Sequence, residues 1–160
     1  MPRTPILAPI LVLLIALVLA APGCRRSRLT PEEQVRKAID IVVKAVGERD
    51  IKPVAVSVSE QYADREGNDK QHIVSLVRVQ FVLHPNLYLV VKIASVECPE
   101  PIQARAVVYA AMASVPAGVL PDLRNLSADV YRFDLALADE DGTWRVRRAA
   151  WAPALAKDLL

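Results

Sequence analysis

The sequence is poor in the residues that cofactor loops and disulfide frameworks require. It has 5 glycines and 2 cysteines among 160 residues. Two cysteines make neither a disulfide framework nor a four-cysteine zinc site. So few glycines argue against a phosphate or dinucleotide loop, and neither Gly-x-Gly-x-x-Gly nor Gly-x-Ser-x-Gly occurs. We therefore expect no cofactor.

The charge balance and the histidine content argue against a nucleic-acid-binding surface and a metal site. Basic and acidic residues nearly balance, at 20 and 18, for a net charge of +2. The basic patch or stripe that nucleic-acid binding needs is therefore not expected. The two histidines, His72 and His84, have no third ligand at metal-binding spacing, so we expect no metal site and no nucleic-acid partner. The apolar fraction of 53% is too high for a disordered chain, and the length suits one domain.

The amino-terminal segment predicts export rather than a folded element. Residues 1–23 start with a basic residue, Arg3, and continue in an apolar run that ends at Gly23-Cys24. The unbroken part of that run, residues 10–21, is shorter than the roughly 20 residues of a membrane-spanning helix. Such a run is typical of the core of a signal peptide.

The end of this segment resembles the cleavage site of bacterial lipoproteins, with Gly23-Cys24 followed by two arginines. The resemblance implies that residues 1–23 are removed and that Cys24 is lipidated, with residues 24–29 as a short basic tether. An ordinary cleaved signal peptide or a retained membrane anchor is the alternative. The arginine after the cysteine favours the outer over the inner membrane, by analogy with enteric sorting. We expect a lipid-anchored protein on the periplasmic side of a membrane.

The first element after the tether is predicted to be an amphipathic helix. Thr30 is followed by Pro31 and then by Glu33, a pattern typical of a capping box at a helix start. Gly47 and Asp50 mark the end of the helix. Apolar residues recur at helical spacing on one face, at Val35, Ile39, Val42 and Val46.

Two segments that follow fit a helix and a strand almost equally well. In residues 53–62 three valines alternate as in a strand, but Pro53 suits a helix start, and we predict a short helix. In residues 70–83 alternation and β-branched residues favour a strand. Against this, Asn68 or Asp69 is a suitable N-cap, and apolar residues also recur at helical spacing. The local pattern leaves residues 70–83 open.

The second half of the chain predicts antiparallel strands joined by turns. The turn before the last strand contains Asp141-Gly142, a strong hairpin signal. We expect a turn at residues 98–101 and an end to the last strand at Pro153, so that residues 153–160 form a short tail. The candidate strands are residues 87–97, 102–115, 128–138 and 143–151.

The order of these elements resembles the nuclear transport factor 2-like (NTF2-like) superfamily, also called the SnoaL-like or cystatin-like cone. The resemblance covers residues 30–152, and it includes the turn from Tyr62 to Gly67 and the closing hairpin that carries Trp144 and Trp151. It implies an α+β fold in which three N-terminal helices pack on a strongly bent four-stranded antiparallel sheet. Residues 70–83 are then the third helix, and a pocket can open between helices and sheet.

The resemblance does not by itself give a function, because the fold carries both enzymes and binding modules. Its enzymes use an Asp, His or Tyr inside the cone, and the sequence shows no interior acid–base pair. We therefore assign no catalytic residue. We expect a non-catalytic module that binds a small apolar ligand or a protein partner; the alternative is a SnoaL-like or ketosteroid isomerase-like enzyme acting on a small hydrophobic substrate. The candidate pocket residues are Tyr62, Asp64, Tyr88 and Trp151.

The resemblance also implies self-association through the exposed face of the sheet. In residues 102–115 one face has an apolar middle at Val107 and Tyr109 with charged residues around it. Two-fold packing of that face against its own copy would give a homodimer. The alternative orientation points Val107 and Tyr109 inward and Val108 and Met112 outward, and the pattern does not exclude it.

Overall fold

The computed structural model describes residues 29–84, 88–113 and 130–159, and within them helices precede strands. The predicted signal segment and Cys24 lie outside the described residues, as do residues 114–129 between the second and third strands. The helices are α1 (Pro31–Gly47), α2 (Ile51–Ser57) and α3 (Lys70–Leu83), the strands are β1 (Tyr88–Glu100), β2 (Gln103–Ala113), β3 (Val130–Glu140) and β4 (Thr143–Ala154), and a 3₁₀ helix spans Ala156–Leu159.

Helix α1 begins at the capping box that the sequence predicts. The backbone N–H of Glu33 donates to Oγ1 of Thr30 at 3.2 Å, and the backbone N–H of Thr30 donates to Oε2 of Glu33 at 2.7 Å. Two of the amide groups at the helix start are thereby satisfied, which is worth about 1 kcal/mol. Val35 and Ile39 are buried beneath the helix, as its apolar face predicts.

Both ambiguous segments are helical. Asp50 caps α2 by accepting from the backbone N–H of Lys52 at 3.0 Å. Helix α2 therefore starts slightly before the predicted range of residues 53–62, and it is shorter than that range. Asp69 caps α3 by accepting from the backbone N–H of His72 at 2.8 Å. The helix over residues 70–83, which the resemblance implies against the local β propensity, is confirmed.

The four strands form one antiparallel sheet in the order β1-β2-β3-β4, so each strand pairs with the next along the chain. Asp141 and Gly142 both have left-handed backbone angles, with φ of 55° and 78°, as a two-residue type I′ hairpin between β3 and β4 requires. Register shifts interrupt β1 near Ala94 and the β3–β4 pair near Leu137. Such bulges increase twist and bend a strand, which helps the sheet to curl around the helices.

Two strand ends differ from the sequence prediction. Strand β1 continues through the predicted turn to Glu100, and the β1–β2 connection is shorter. Strand β4 continues past Pro153, which lies opposite Tyr131, because an edge strand tolerates proline. The predicted tail is therefore partly strand, and the 3₁₀ helix after it buries Leu159 against the outer face of the sheet.

Helix α1 packs on the inner face of the sheet, as predicted. Strand β2 alternates, with Ala104, Ala106 and Val108 buried on the inner face and Val107 and Tyr109 on the outer face. Of the two orientations that the sequence allows, the one with Val107 and Tyr109 outward is therefore correct. The main buried cluster consists of Val35, Ile39, Ala104, Ala106, Val108, Leu137 and Trp144.

Candidate functional site

A cavity of about 370 Å³ lies between the inner face of the sheet and the helices. It adjoins the buried cluster beneath α1 and extends toward α3. Helix α1 contributes Val42 and Val46, the carboxyl-terminal part of the apolar face that the sequence predicts. Helix α3 contributes Ile73, Val77 and Phe81 from the other side. The space is thus enclosed by helices on one side and by the bent sheet on the other.

Small side chains on the inner face of the sheet keep this space open. Ala110 of β2 and Ala149 of β4 both line the cavity, at positions where larger residues would fill it. Protein interiors are otherwise close-packed, with few voids larger than a water molecule. A cavity of this size between apolar walls is therefore a candidate ligand site rather than an ordinary packing defect.

Three of the polar side chains that line the cavity, those of Ser57, Tyr62 and Trp144, form hydrogen bonds within the protein. The hydroxyl of Ser57 donates to the backbone oxygen of Pro53 at 2.9 Å. The indole N–H of Trp144 donates to Oε1 of Gln34 at 3.3 Å. Among the residues that the structure describes, no lining residue is charged. The cavity therefore offers an apolar environment and little polar chemistry.

Tyr62 contributes its ring to the cavity, while its hydroxyl is bound to a residue that does not line it. The side chain is buried, and its hydroxyl donates to Oδ2 of Asp64 at 3.3 Å. Burial, and then the neighbouring negative charge of Asp64, raise the pKa of Tyr62 to about 12. Tyr62 is therefore protonated at neutral pH and has its proton committed to Asp64.

Asp64 organises the turn after Tyr62 rather than the cavity. Desolvation alone would raise the pKa of Asp64, but hydrogen bonds, first from Asn68, outweigh it and lower the pKa. The backbone N–H and the side-chain amide of Asn68 each donate to Asp64 at 2.8 Å. Asp64 is not among the residues that line the cavity. Its carboxylate is therefore ionised at neutral pH and is used to hold the turn.

The four candidate pocket residues thus separate into two pairs. Tyr62 and Trp151 line the cavity, whereas Asp64 and Tyr88 do not. Tyr88 is exposed at the start of β1, and its neighbour Leu89 lines the cavity, because successive residues in a strand face opposite sides. Sequence reasoning did not name Gln80 as a pocket residue, although it lines the cavity from α3, because a neutral amide on a helix face carries no signal of a binding role.

The histidines and acidic residues give no second site. His72 and His84 are exposed and do not line the cavity. Within residues 29–84, 88–113 and 130–159, no group of three metal-ligating side chains comes together. Over the same residues, none of the helices has the length and apolar character needed to cross a membrane.

The outer face of the sheet carries a shallow groove of mixed charge. Strand register places Glu97 opposite Arg105 there, with Arg148 and Asp134 on the neighbouring strands. Asp134 accepts from Arg132 at 2.6 Å. This face therefore presents both signs of charge around the apolar side chain of Val107.

Comparison with known proteins gives structural likenesses without sequence matches. No protein-family model matches the chain, and no curated protein matches it. A domain of unknown function with a cystatin-like fold from Nostoc punctiforme PCC 73102 superposes with a TM-score of 0.62 and 14% identity, over 79% of this chain and 80% of that one. An NTF2-like protein of unknown function from Pseudomonas putida KT2440 gives a TM-score of 0.57 and 16% identity, over 76% and 84% of the two chains.

A third solved structure is a ketosteroid isomerase-like protein from Erwinia carotovora atroseptica SCRI1043. Its TM-score is 0.56 at 12% identity, over 76% of this chain and 95% of that one. At such identities a likeness shows the fold and does not transfer an activity. Together with three helices on a curled four-stranded antiparallel sheet, these likenesses show that the chain has the NTF2-like, or cystatin-like, cone fold.

Proposed function

We propose that this protein is a lipid-anchored protein of the cell envelope whose NTF2-like domain binds a small apolar ligand without transforming it. The observation that carries the binding function is the apolar cavity of about 370 Å³. That volume lies within the range typical of small-molecule sites. Burial of apolar ligand surface in it would supply about 25 cal/mol per Å² before the costs of association.

Binding without catalysis is supported by where the ionisable groups lie. A general acid or base must come within hydrogen-bond reach of the reacting atom. The hydroxyl of Tyr62 is committed to Asp64, and both histidines are exposed away from the cavity. Among the described lining residues there is no carboxylate and no imidazole, so the cavity wall lacks the acid–base pair that such enzymes need.

The alternative is a ketosteroid isomerase-like enzyme acting on a small hydrophobic substrate. The likeness to the Erwinia carotovora protein favours it, as does the phenol of Tyr131 in the cavity wall. Chemical alteration of the ligand during incubation with the protein would support this enzyme and contradict a pure binding module.

The anchor and the location rest on the amino-terminal sequence. The short apolar run before Gly23-Cys24 supports lipidation of Cys24 and residence on the periplasmic side, with the outer membrane favoured. An anchored binding module would hold its ligand next to a membrane, where apolar molecules concentrate. The two parts of the proposal are independent, since the cavity does not depend on the anchor.

Native mass spectrometry of protein purified from membranes tests the binding function. We expect the wild-type protein to carry an apolar molecule, which the mass spectrum should show. In a separate titration, the protein should also bind the neutral fluorescent dye N-phenyl-1-naphthylamine. Ala110→Phe should occupy part of the cavity and weaken both signals. Ala152→Phe, the same change on the outer face of the sheet, is the matched control and should bind as the wild type does. Equal binding by Ala110→Phe, or no binding by a folded wild-type protein, would contradict the proposal.

A further inference from the structure

Helix α3 is apolar on two opposite faces. On the inner face Val74 and Phe81 are buried, where the helix packs on the domain. On the outer face four apolar side chains are exposed, and we call them the exposed apolar stripe: Leu76 at 43%, Val79 at 51%, Val82 at 78% and Leu83 at 63%. A helix that is apolar all round is normally covered on every side. The stripe therefore marks a surface that a further partner would cover.

The outer surface of α1 gives the contrast. Ile41 is the one exposed aliphatic side chain of that helix. The other exposed side chains of α1 carry charges of both signs, at Glu33, Arg36, Lys37, Asp40 and Lys44. Apolar side chains scattered singly are normal on a protein surface, whereas contiguous ones mark protein or membrane interaction sites. The stripe on α3 belongs to the second kind.

The charges on α3 favour an anionic partner. Residues 70–83 contain Lys70 and Arg78 and no acidic side chain. Lys70 forms an ion pair with Glu60 at 2.7 Å, and Asp69, just before the helix, is engaged as its N-cap. Arg78, one turn before Val82, is exposed and has no ion-pair partner among the described residues. The outer face of α3 thus combines apolar side chains with a cation, which is typical of helices that lie on anionic lipid.

The predicted anchor would bring the domain close to such a surface. Cys24 lies six positions before Thr30, and an extended tether of that length spans at most about 22 Å. This is less than the diameter of a small domain, roughly 30 Å. A domain held so closely stays within reach of the bilayer, and lipid is then the partner with the highest effective concentration.

The position of α3 allows the stripe and the tether to reach one bilayer. The guanidinium of Arg49, just after α1, donates to the backbone oxygen of Phe81. The end of α3 therefore lies beside the end of α1, whereas the tether leads into the start of α1. The 17 residues of α1 span about 25 Å, which is comparable to the length of the tether. Both contacts can form together when α1 lies along the membrane surface.

We propose that the exposed apolar stripe of α3 docks on an anionic lipid bilayer, with its aliphatic side chains in the head-group region and Arg78 against lipid phosphate. The stripe lies on one convex helix surface, which suits insertion at the boundary between head groups and acyl chains. Because the opposite face of α3 lines the cavity through Ile73 and Val77, docking would place the cavity wall next to the lipid. The inference rests on the anchor in the proposed function and adds the surface that faces the membrane.

Quenching by nitroxide-labelled lipids measures whether the stripe touches lipid. The processed full-length protein is reconstituted in vesicles that contain phosphatidylcholine and phosphatidylglycerol in equal amounts. A bimane fluorophore is attached to Ser75→Cys, an exposed polar position on the outer face of α3, in a Cys98→Ala background. The matched control carries the fluorophore at Ala152→Cys on the outer face of the sheet. The nitroxide lipid should quench the fluorophore at position 75 and leave the one at position 152 unquenched.

Two substitutions separate the apolar from the charged contribution, and the quenched fraction at position 75 gives the ratio of docked to undocked protein. Val82→Glu removes the most exposed side chain of the stripe and should lower this ratio at least about tenfold. Arg78→Glu should lower it about fivefold or more on the anionic vesicles and change it little on phosphatidylcholine alone. Ala152→Glu, on the outer face of the sheet, is the control and should leave the ratio unchanged.

The outcomes separate this inference from the proposed anchor. If the processed protein does not float with the vesicles, both the anchor and the docking are wrong. If it floats but the fluorophore at position 75 is no more quenched than the one at position 152, the anchor stands and the docking is wrong, which leaves the stripe to a protein partner. Quenching that neither Val82→Glu nor Arg78→Glu reduces would also overturn the docking, because proximity through the tether would then explain it.

Discussion

The hydroxyl of Ser59 donates a hydrogen bond of 2.7 Å to Oε1 of Glu140, and this contact fastens the segment after α2 to the β3–β4 hairpin. Ser59 is fully buried, and its backbone N–H donates to the carbonyl oxygen of Val146 at 3.0 Å. Glu140 also accepts from Arg145 at 3.2 Å and from Arg147 at 2.8 Å. One carboxylate thus joins the helical layer to the edge strand that closes the cavity.

We expect the contribution of the Glu140 carboxylate to stability to be lost in acid. Desolvation by itself would raise the pKa of Glu140, but the hydrogen bonds from Ser59 and the two arginines outweigh it and lower the pKa from its usual 4.5. A lowered folded-state pKa means that the carboxylate stabilises the fold above the unfolded value of 4.5, and that this contribution is lost as pH falls through the folded value. Glu140→Gln should therefore lose about 1 kcal/mol of unfolding free energy at pH 7. The loss should shrink below pH 4.5.

Urea unfolding at pH 7 and pH 3.5 measures this difference. The control is Asp40→Asn on the exposed side of α1, which should change unfolding free energy little at either pH. An effect of Glu140→Gln that is the same at both values would show that the contact contributes through packing rather than through charge.

Two isoleucines of α1 test whether this helix belongs to the core. Ile39 is 8% exposed in the buried cluster, whereas Ile41 on the same helix is 47% exposed. Ile39→Ala should cost about 2–3 kcal/mol, at the low end for buried residues because the side chain also borders the cavity. Ile41→Ala should cost less than about 0.5 kcal/mol. Chemical denaturation of both variants measures the difference, and a loss below about 0.5 kcal/mol for Ile39→Ala would mean that α1 is peripheral.

Much of the fold could be predicted from local chemistry together with one resemblance. The capping box at Thr30, the apolar face of α1 and the Asp141-Gly142 turn are signals carried within a few residues, and the structure follows each of them. Residues 70–83 are different, because their β-branched side chains favour a strand while the N-cap at Asp69 favours a helix. Packing of Val74 and Phe81 toward the interior decides the outcome, and that contact is not visible in the local pattern.

The site was harder to predict than the fold. Tyr62 and Trp151 could be placed in the cavity because the resemblance locates them at a turn and in the closing hairpin. The orientation of Tyr88 depends on strand register, which is fixed by pairing with Ala113 and not by local sequence. Small residues such as Ala110 and Ala149 leave space between the sheet and the helices, and this space is the cavity. An alanine in a strand does not by itself predict a cavity from the sequence.

Self-association through the outer face of the sheet is a further prediction. Val107 and Tyr109 lie on that face, and Glu97 and Arg105 stand opposite one another nearby. A face that carries both charges is self-complementary under two-fold symmetry. Sedimentation velocity of the chain from Arg25 onwards should show a dimer at micromolar concentration.

Tyr109→Glu should convert that dimer to monomer, because it replaces an aromatic ring in the apolar middle of the face with a carboxylate. Val79→Glu, at an exposed apolar position on α3 away from the sheet, is the control and should leave the dimer intact. A monomeric wild-type protein, or a dimer that tolerates Tyr109→Glu, would rule out this interface.

The last prediction concerns Cys24, which we expect to carry the lipid anchor. Metabolic labelling with an alkyne fatty acid should mark the wild-type protein, and fractionation should place the mature band with the membranes. Cys24→Ala removes the thiol to which the lipid would attach, so labelling should be lost. Cys98→Ala removes the chain's other cysteine and should be labelled and fractionate as the wild type does. A wild-type protein that is unlabelled and free in the periplasm would instead indicate an ordinary cleaved signal peptide, and the binding domain would then act as a diffusible carrier.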